Sequence, residues 1–389
     1  MKALVVETQK IRDNLKIVRE VVEKNNKNTK LIAVIKGNGY GLGLVEYAQT
    51  LVDNGIELFA VATVEEAIKL RQNGIKQDIL MMSSTAVEED INSLIENNII
   101  LTIGSKESGE AVEKCAQKKN KKVKAHIKID TGFGRYGFIY NKKIKAHIKI
   151  DTGFGRYGFI YTKKEEMIET IKSWKNIQIE GMFSHFSLAF YGKGKEVKQQ
   201  YERFMECVEE LKKNKIEPHM LHICNSSAVL RFPEMHLNAV RIGSLLLGRL
   251  SIPNEWGFKR VGYLKSNVSE IKILPSGYNI GYSNSFKTKK QTRIAIIPCG
   301  YADGFNVKVD RDMFRTVDKL RYIIRDIKDA FKKQQIYVTI NGEKCKVLGR
   351  LGMFHVSVDI TDKQVKINDE VKFEVSPMLV DSNIQRNYI

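Results

Sequence analysis

The sequence predicts an α/β protein: a (β/α)8 barrel of the TIM type followed by a mainly β domain. Short β-branched runs alternate with helical stretches through the first two-thirds of the chain, which is typical of βα units in a parallel sheet. Roughly eight such units fit into about 240 residues, as a closed barrel requires. From about Pro253 onwards, turn residues rather than helices join the β-rich runs.

Eight apolar runs in the first part of the chain have the length and β-branched content of buried strands. These predicted strands are Lys30–Ile35, Leu58–Ala62, Asp78–Met82, Ile99–Ile103, Val123–Ile129, Ile177–Gly181, Met220–Ile223 and Ala239–Ile242. The predicted helices between them include Thr63–Asn73, Glu107–Lys118, Glu165–Trp174 and Val197–Asn214.

The last third of the chain is predicted to form the β domain, interrupted by one strongly helical insert, Met313–Lys333. We expect the barrel in residues 9–250 and the β domain in residues 251–389. Residues 1–8 can join the β domain as a further strand. The predicted strands of this domain include Leu264–Ile273, Thr292–Ile297, Tyr337–Ile340 and Val371–Val375.

Composition excludes several classes of protein. Of the 389 residues, 43% are apolar and 28% are charged, which is the balance of a globular protein. No apolar run approaches the roughly 20 residues of a membrane-spanning helix, and the N-terminus lacks the apolar core of a secretion signal. We therefore expect a cytoplasmic protein without a membrane partner. The five cysteines are widely spaced and include no C-x-x-C pair, so we expect reduced thiols and no metal site.

The formal net charge of +19 raises the question of nucleic-acid binding. The lysines are spread along the chain beside many Asn and Ile residues, and no RNA- or DNA-binding motif accompanies them. We therefore expect no nucleic-acid partner. A basic surface can still attract small anions, including a phosphorylated cofactor.

One segment of the chain occurs twice. Residues 121–141 and 142–162 match at a period of 21 residues and differ at two positions. Repeat architectures have three or more degenerate copies, so a tandem duplication is the better interpretation. Both copies cannot form the same barrel strand, and the sequence leaves either one open. We favour the second copy, because the helical stretch Glu165–Trp174 follows it directly.

A lysine stands at the predicted C-terminal end of the first barrel strand. Lys36 follows the apolar run Leu31–Ile35 and precedes the glycine-rich segment Gly37–Gly43. In a (β/α)8 barrel, active sites lie at the C-terminal ends of the strands. A partly desolvated lysine at such a position becomes a nucleophile that can form a Schiff base with a carbonyl group. The glycines permit close approach of a ligand to the backbone.

This segment resembles the cofactor-lysine signature of the alanine racemase family, A-V-[VI]-K-A-N-A-Y-G-H-G. It departs from the pattern at Gly37, Gly39 and Leu42 and keeps the other eight residues, Lys36 among them. Further landmarks of the family follow in order: HIKIDTGFGR (twice), GMFSHF, HICNSSA, RIGS, IGYSNSF, GYADGF, GRLGM and RNY. The resemblance covers nearly the whole chain. It implies a barrel that binds pyridoxal 5'-phosphate and an amino-acid racemase that interconverts L- and D-alanine, supplying D-alanine for peptidoglycan.

The resemblance also assigns the cofactor site. Lys36 would hold pyridoxal phosphate covalently, Arg241 would donate to its pyridine nitrogen, and His185 would lie near the cofactor. The other cofactor-binding residues that it implies, most of them at the phosphate, are Tyr40, Asn225, Ser226, Gly243, Ser244 and Tyr388.

For the substrate, the resemblance offers two sets of residues because of the duplication. Arg135 or Arg156 would lie beside the substrate carboxylate. Lys128 or Lys149 would carry a carbamate that orients this arginine. The substrate residues that do not depend on the copy are Tyr301, at the entrance, and Met353, whose backbone would meet the carboxylate.

Racemisation requires an acid/base group on each face of a planar intermediate. Lys36 would serve one face, and the resemblance implies that Tyr282 of a partner subunit serves the other. The resemblance therefore implies a homodimer with active sites at the subunit interface, acting on a small amino acid.

The assignment of Arg241 favours a racemase over a decarboxylase of the same architecture. Arginine has no acceptor site and is always charged, so it disfavours a protonated pyridine nitrogen. A poorly delocalised carbanion suits proton exchange at Cα. A decarboxylase would place an acidic residue there, and a carrier of the single-barrel type would lack the second domain and Tyr282.

Three departures from the family pattern concern the choice of substrate. Gly352 replaces a serine or cysteine, Phe354 replaces an aspartate, and the stretch Asn306–Gln335 is longer than usual. We expect alanine as the substrate, with serine or a broader range of amino acids as the alternative.

Overall fold

The computed structural model describes residues 2–128, 164–309, 316–331 and 335–389. Its residues form two compact units. One unit is Thr8–Val261, and the other combines Met1–Glu7 with Gly262–Ile389.

The unit Thr8–Val261 contains eight parallel strands in the order of a closed barrel. They are β2 (Lys30–Val34), β3 (Leu58–Val61), β4 (Asp78–Met81), β5 (Leu101–Ile103), β6 (Val123–Lys128), β7 (Ile177–Phe183), β8 (Met220–His222) and β9 (Ala239–Ile242). Their ladders run β4-β3-β2-β9 and β5-β6-β7-β8.

Two contacts join these ladders into a ring. A parallel bridge between Leu80 and Ile100 connects β4 with β5. On the other side, the N–H of Asn238 donates to the carbonyl of Leu221, and that of Arg241 to the carbonyl of Cys224, both at 3.1 Å. The predicted (β/α)8 barrel is therefore confirmed.

Helices alternate with these strands, as the sequence predicts. Some of them begin with a local cap; the side chains of Ser105 and Ser108 form a capping box at the start of Lys106–Lys118. The helical segments are α1 (Thr8–Glu23), α2 (Lys36–Tyr40), α3 (Leu44–Val52), α4 (Val64–Gln72), α5 (Glu88–Glu96), α6 (Lys106–Lys118), α7 (Lys164–Ser173), α8 (Lys195–Lys213), α9 (Ser226–Arg231) and a 3-10 turn, Pro233–Met235.

Inside the barrel, branched and small apolar side chains fill the space between the strands. Ile32, Val34, Leu58, Leu80 and Ile100 belong to one buried cluster. Parallel strands covered on both faces need such near-continuous apolar sequences, which explains why short runs were sufficient to predict them.

The first copy of the duplicated segment supplies β6. This strand pairs with β5 on one side and with β7 on the other, so no second copy can occupy its place. The preference for the second copy is therefore wrong. The physical reason is chain connectivity: only residues 119–122 separate α6 from β6, which the first copy supplies, and βα units favour short connections. The second copy lies outside the described residues.

The described strands of the other unit are β1 (Ala3–Val6), β10 (Tyr263–Asn267), β11 (Glu270–Leu274), β12 (Asn279–Ile280), β13 (Phe286–Lys287), β14 (Thr292–Ile297), β15 (Tyr337–Ile340), β16 (Glu343–Leu348), β17 (Val356–Asp359), β18 (Glu370–Phe373) and β19 (Arg386–Tyr388). Nine of them form one sheet in the order β11-β14-β17-β16-β15-β18-β10-β1-β19. Strand β1 pairs antiparallel with β10 and parallel with β19.

Two features of this unit refine the prediction. The run Leu264–Ile273 is not one strand, because it divides into β10 and β11, which pair with different neighbours. The predicted insert contains one helix, α10 (Thr316–Phe331). The remaining helical turns are the 3-10 segments Tyr282–Asn284, Tyr301–Asp303 and Pro377–Leu379. Within the described parts of the chain, no helix has the length and apolarity to cross a membrane.

The duplication provides a matched test of the assignment of β6. Ile127 is completely buried in this strand, and Ile148 is its counterpart in the second copy. We expect Ile127→Ala to lower the free energy of unfolding by about 2–5 kcal/mol, because it leaves a cavity in a packed core. Ile148→Ala should change it by less than about 0.5 kcal/mol. Guanidinium unfolding followed by circular dichroism measures both, and an equal or larger effect of Ile148→Ala would contradict the assignment.

Candidate active site

A left-handed turn holds Lys36 at the C-terminal end of β2. Lys36 is half-buried, and Gly37, Asn38, Gly39 and Tyr40 follow it with φ values of 65°, 53°, 64° and 54°. Four successive residues in this region cost energy for side chains with a Cβ, and glycine removes the cost at two of them. The glycines that depart from the family pattern are therefore compatible with the conformation at the end of this strand.

Glu66 of α4, which is not among the predicted site residues, fixes this turn. Its Oε1 accepts the backbone N–H of Asn38 and its Oε2 accepts that of Ala62, each at 3.1 Å. The side chain of Asn38 in turn accepts the N–H of Leu44, at 3.0 Å. One carboxylate thus ties the loop after β2 to the loop after β3. Glu66 is the third residue of its helix, a position where glutamate is common in ordinary helix caps. The sequence therefore did not distinguish it from such a capping residue.

The hydroxyls of Tyr40 and Ser226 converge on the backbone of Gly243. The Gly243 N–H donates to Ser226 Oγ at 3.1 Å. A Cβ placed on Gly243 would lie 2.5 Å from the hydroxyl oxygen of Tyr40, so only glycine fits there. Two hydroxyls and a backbone amide therefore line a small polar cradle at the ends of β2, β8 and β9. Ser244 follows Gly243 directly and is half-buried.

Arg241 lies at the centre of the barrel unit and is almost completely buried. Its Nη1 donates to Nδ1 and the carbonyl of His222, at 2.7 and 3.0 Å. Its Nη2 donates to the carbonyls of Ser184 and Ile223 and to Nδ1 of His185, at 2.6, 3.2 and 3.1 Å. Burial lowers the pKa of Arg241 to about 10, so the guanidinium remains charged near neutral pH.

Two buried histidines extend this network away from Arg241. Nε2 of His222 lies 3.1 Å from Nδ1 of His126 on β6. Because a guanidinium only donates, Nδ1 of His222 accepts, and its Nε2–H must donate to His126. The ring of His222 also stacks on Phe183, with centroids 4.9 Å apart. The hydrogen bonds therefore run in one direction, from Arg241 through His222 to His126.

Both histidines are neutral at physiological pH. Burial, reinforced by the charge of Arg241, lowers the pKa of His126 to about 4. Burial and then Arg241 lower the pKa of His222 well below its usual value. His126, like Glu66, was absent from the predicted site, although HIK in the duplicated segment marked its position.

The remaining predicted residues of this unit lie beside Arg241. Asn225 Nδ2 lies 3.3 Å from His185 Nε2, while Asn225 Oδ1 caps α9 by accepting the N–H of Ala228, at 3.2 Å. The structure therefore groups Arg241, His185 and Asn225 around one centre. Lys36 follows the C-terminal end of β2. This strand is the neighbour of β9, because Ile32 of β2 is paired with Arg241 of β9.

In the other unit, Tyr282 stands on an exposed turn with 73% of its surface accessible. The turn packs against the segment after β16: a Cβ on Gly281 would lie 2.7 Å from the amide nitrogen of Arg350. The N–H of Arg350 donates to Ser285 Oγ at 2.9 Å. Backbone packing thus presents the Tyr282 phenol to solvent.

Tyr301 and Met353 lie on two adjacent segments of the same unit. The N–H of Tyr301 donates to the carbonyl of Gly352, and that of Ala302 to the carbonyl of Met353, at 3.2 and 3.1 Å. Buried Asp303 holds the first segment by accepting the N–H of Gly300, at 2.9 Å, and it pairs with Lys2 at 2.7 Å. Both predicted substrate residues expose about half of their surface.

Several predicted residues are not brought into either group. Tyr388 lies in β19, beside the N-terminal strand. The backbone of Lys128 forms the last position of β6. The other residues that the duplication makes alternatives, Arg135, Arg156 and Lys149, lie outside the described residues.

Models of known families match nearly the whole chain. The model described as alanine racemase, N-terminal domain, matches residues 6–141 and again 139–251. The two matches meet where the first copy of the duplicated segment ends. The model described as alanine racemase, C-terminal domain, matches residues 261–377.

Individual relatives agree with these matches. An alanine racemase of Methanococcus maripaludis is 32% identical over 373 residues, which cover 94% of this chain and 87% of the relative. Alanine racemase 1 of Caldanaerobacter subterraneus subsp. tengcongensis is 31% identical, over 91% and 81% of the two chains. The solved alanine racemase of Clostridium difficile has a TM-score of 0.80 at 26% identity and covers 100% of this chain, and 95% of that chain is covered. The chain belongs to the alanine racemase family.

Proposed function

We propose that this protein is an alanine racemase that uses pyridoxal phosphate. The observation that carries the proposal is the placement of Lys36 just after the C-terminal end of β2, while the neighbouring strand β9 carries the buried, donor-only Arg241. A lysine binds the aldehyde of the cofactor, and an arginine opposite the pyridine nitrogen favours racemisation over other reactions.

The residues at the strand ends fit pyridoxal phosphate. Its phosphate needs several donors within a small space, and the hydroxyls of Tyr40 and Ser226 with the backbone of Gly243 and Ser244 supply them. A side chain on Gly243 would fill this cradle. When bound, the cofactor supplies an electron sink that acidifies the Cα–H bond of the amino acid.

Arg241 limits how strong this electron sink can be. Its described partners are carbonyl oxygens and the imidazole rings of His222 and His185, and none of these partners is a carboxylate that would offset its positive charge. A guanidinium that is already satisfied on one side can offer a hydrogen bond to a ring nitrogen but cannot accept one. The residues therefore support an unprotonated ring nitrogen and proton exchange at Cα.

Lys36 and Tyr282 are the proposed acid/base pair, one for each face of the substrate. The exposure of Tyr282 supports a role in the active site of another subunit, because a phenol that projects into solvent can reach a partner. We therefore propose a homodimer with a small amino acid bound between Tyr282 of one subunit and Lys36 of the other. Tyr301 and Met353 would border the entrance.

The first copy of the duplicated segment supplies the proposed substrate residues of the barrel. Because it forms β6, we propose Lys128 and Arg135 for the roles that the family pattern assigns, rather than Lys149 and Arg156. The comparison of Ile127→Ala with Ile148→Ala tests the strand on which this choice depends.

The cysteines support a reducing compartment. All five are free and buried. We propose that the enzyme acts in the cytoplasm, where thiols remain reduced and where D-alanine for peptidoglycan would be made.

Lys36→Ala tests the cofactor anchor. We expect loss of the visible absorbance of lysine-bound pyridoxal phosphate and a fall in racemase kcat of about a thousandfold or more, because both the anchor and one base are removed. Lys30→Ala, at the opposite end of the same strand, is the matched control and should retain both. Loss of optical activity across L-alanine, L-serine and L-lysine identifies the substrate. Normal absorbance in Lys36→Ala would refute the proposal.

The buried, neutral His126 should make the free energy of unfolding depend on pH. The pKa of His126 is about 4 in the folded protein, and it is about 6.5 in an unfolded chain. Between these values only the unfolded chain binds the proton, so stability is present above pH 6.5 and is lost as the pH falls towards 4. One such histidine contributes a slope of about 1.4 kcal/mol per pH unit.

His126→Asn should therefore flatten the dependence of the unfolding free energy on pH in this window, while His147→Asn in the second copy should leave it unchanged. Guanidinium unfolding at a series of pH values measures the slopes. Identical slopes in the two variants would show that His126 is not the buried neutral group.

Tyr282→Phe tests the second base. We expect kcat to fall by about 10² to 10⁴, the usual contribution of a positioned acid/base group. In deuterium oxide, one enantiomer of alanine should still exchange its Cα hydrogen at Lys36 without inversion. The control is Tyr278→Phe, which removes an exposed hydroxyl from the same unit. Equal loss of exchange for both enantiomers would argue against a role confined to one face.

A further inference from the structure

Helix α10 exposes an apolar surface that the racemase site does not explain. Leu320, Ile323, Ile324 and Ile327 are exposed by 56, 55, 55 and 54%. Their spacing of three, four and seven residues places them on one face of the helix. We call these four side chains the apolar stripe of α10.

The exposure of this stripe is energetically unfavourable in water. A helix of 16 residues is marginal by itself, and most helices in proteins are stabilised by packing of their apolar face. A contiguous apolar surface rimmed by polar residues marks a binding surface rather than a random exposed side chain. The apolar stripe therefore requires a partner that covers it.

The charged residues of α10 indicate the nature of this partner. With about 100° between successive residues, Arg321 and Lys328 lie directly beside the apolar stripe on one side, and Arg325 lies next to them. Lys319 borders the stripe on the other side, and Asp326 lies only about 20° beyond it. Three cations thus flank one edge of the apolar stripe, and a lysine with a neighbouring aspartate flanks the other.

The surrounding sequence reinforces this charge. Residues 308–333 contain nine basic and five acidic residues. An apolar face with lysine and arginine at its edges is the arrangement of a helix that lies in a membrane interface, where the apolar side chains enter the acyl boundary and the cations contact anionic headgroups.

We propose that α10 binds the surface of a lipid bilayer that carries anionic headgroups, with its apolar stripe buried in the interface. This proposal revises the expectation that the chain has no membrane partner, which rested on the lack of a long apolar run. A helix that lies on a membrane needs no such run. The proposal does not depend on the racemase assignment.

A second copy of this helix fits the stripe less well. If two stripes packed together, the cations along their edges would face each other, and like charges in these positions destabilise helix pairs. An anionic surface instead attracts each nearby lysine or arginine. Charge complementarity therefore favours the membrane surface.

Co-sedimentation of the full-length protein with vesicles tests the proposal. We expect binding to phosphatidylcholine vesicles that contain about 30% phosphatidylglycerol, and weaker binding at high salt, because salt screens the headgroup charge. Vesicles of phosphatidylcholine alone should bind much less protein. Equal binding to both kinds of vesicle would overturn the role of the anionic headgroups.

Two pairs of variants assign the binding to α10. Ile324→Gln should reduce the partition coefficient about tenfold or more, because it removes a buried apolar side chain from the interface. Ile273→Gln, at a site exposed by 64% on β11, is its control. Lys328→Gln should reduce binding about fivefold, and Lys344→Gln, which removes an exposed lysine from β16, should not.

Glutamine is a good helix former, so these substitutions retain α10, and unchanged circular dichroism and racemase activity without vesicles verify the fold. The proposal is overturned if the protein does not bind anionic vesicles, or if Ile324→Gln and Ile273→Gln bind equally. It is also overturned if, without lipid, Ile324→Gln changes the oligomeric state in analytical ultracentrifugation, since the stripe would then join two copies.

Discussion

The buried guanidinium of Arg241 is the constraint on which the barrel site depends. A cation away from water must have its donors satisfied, and here three backbone carbonyls and two imidazole nitrogens accept them. These acceptors come from the ends of β7 and β8. The requirement to surround one charge therefore fixes the relative positions of three strand ends and the tautomers of the histidines between them.

The same requirement reaches the duplicated segment. His126 can accept the proton of His222 only from a strand that lies beside β7, and the first copy forms that strand. One copy of the 21-residue segment is thus sufficient for both the backbone pairing and the buried hydrogen bond. This links the integrity of β6 to the hydrogen bonds around Arg241 in the proposed cofactor site.

The turn at Lys36 and the apolar stripe of α10 differ in the contacts that surround them. Around Lys36, glycines and a carboxylate hold a strained left-handed turn, which positions an amine with little freedom. In α10, an apolar stripe remains in contact with water. One region uses buried polar contacts to fix geometry, whereas the other leaves apolar surface available to a partner.

The sequence by itself determined the fold class and singled out Lys36, Arg241 and the proposed phosphate residues, since short-range patterns and ordered motifs encode them. Only the tertiary structure decided which copy forms β6, that Glu66 closes the turn, and that His126 completes the network of Arg241. The copies are nearly identical, so no local property separates them. Their difference lies in which strand can pair with β5 and β7, and pairing between distant segments is visible only once the chain is folded.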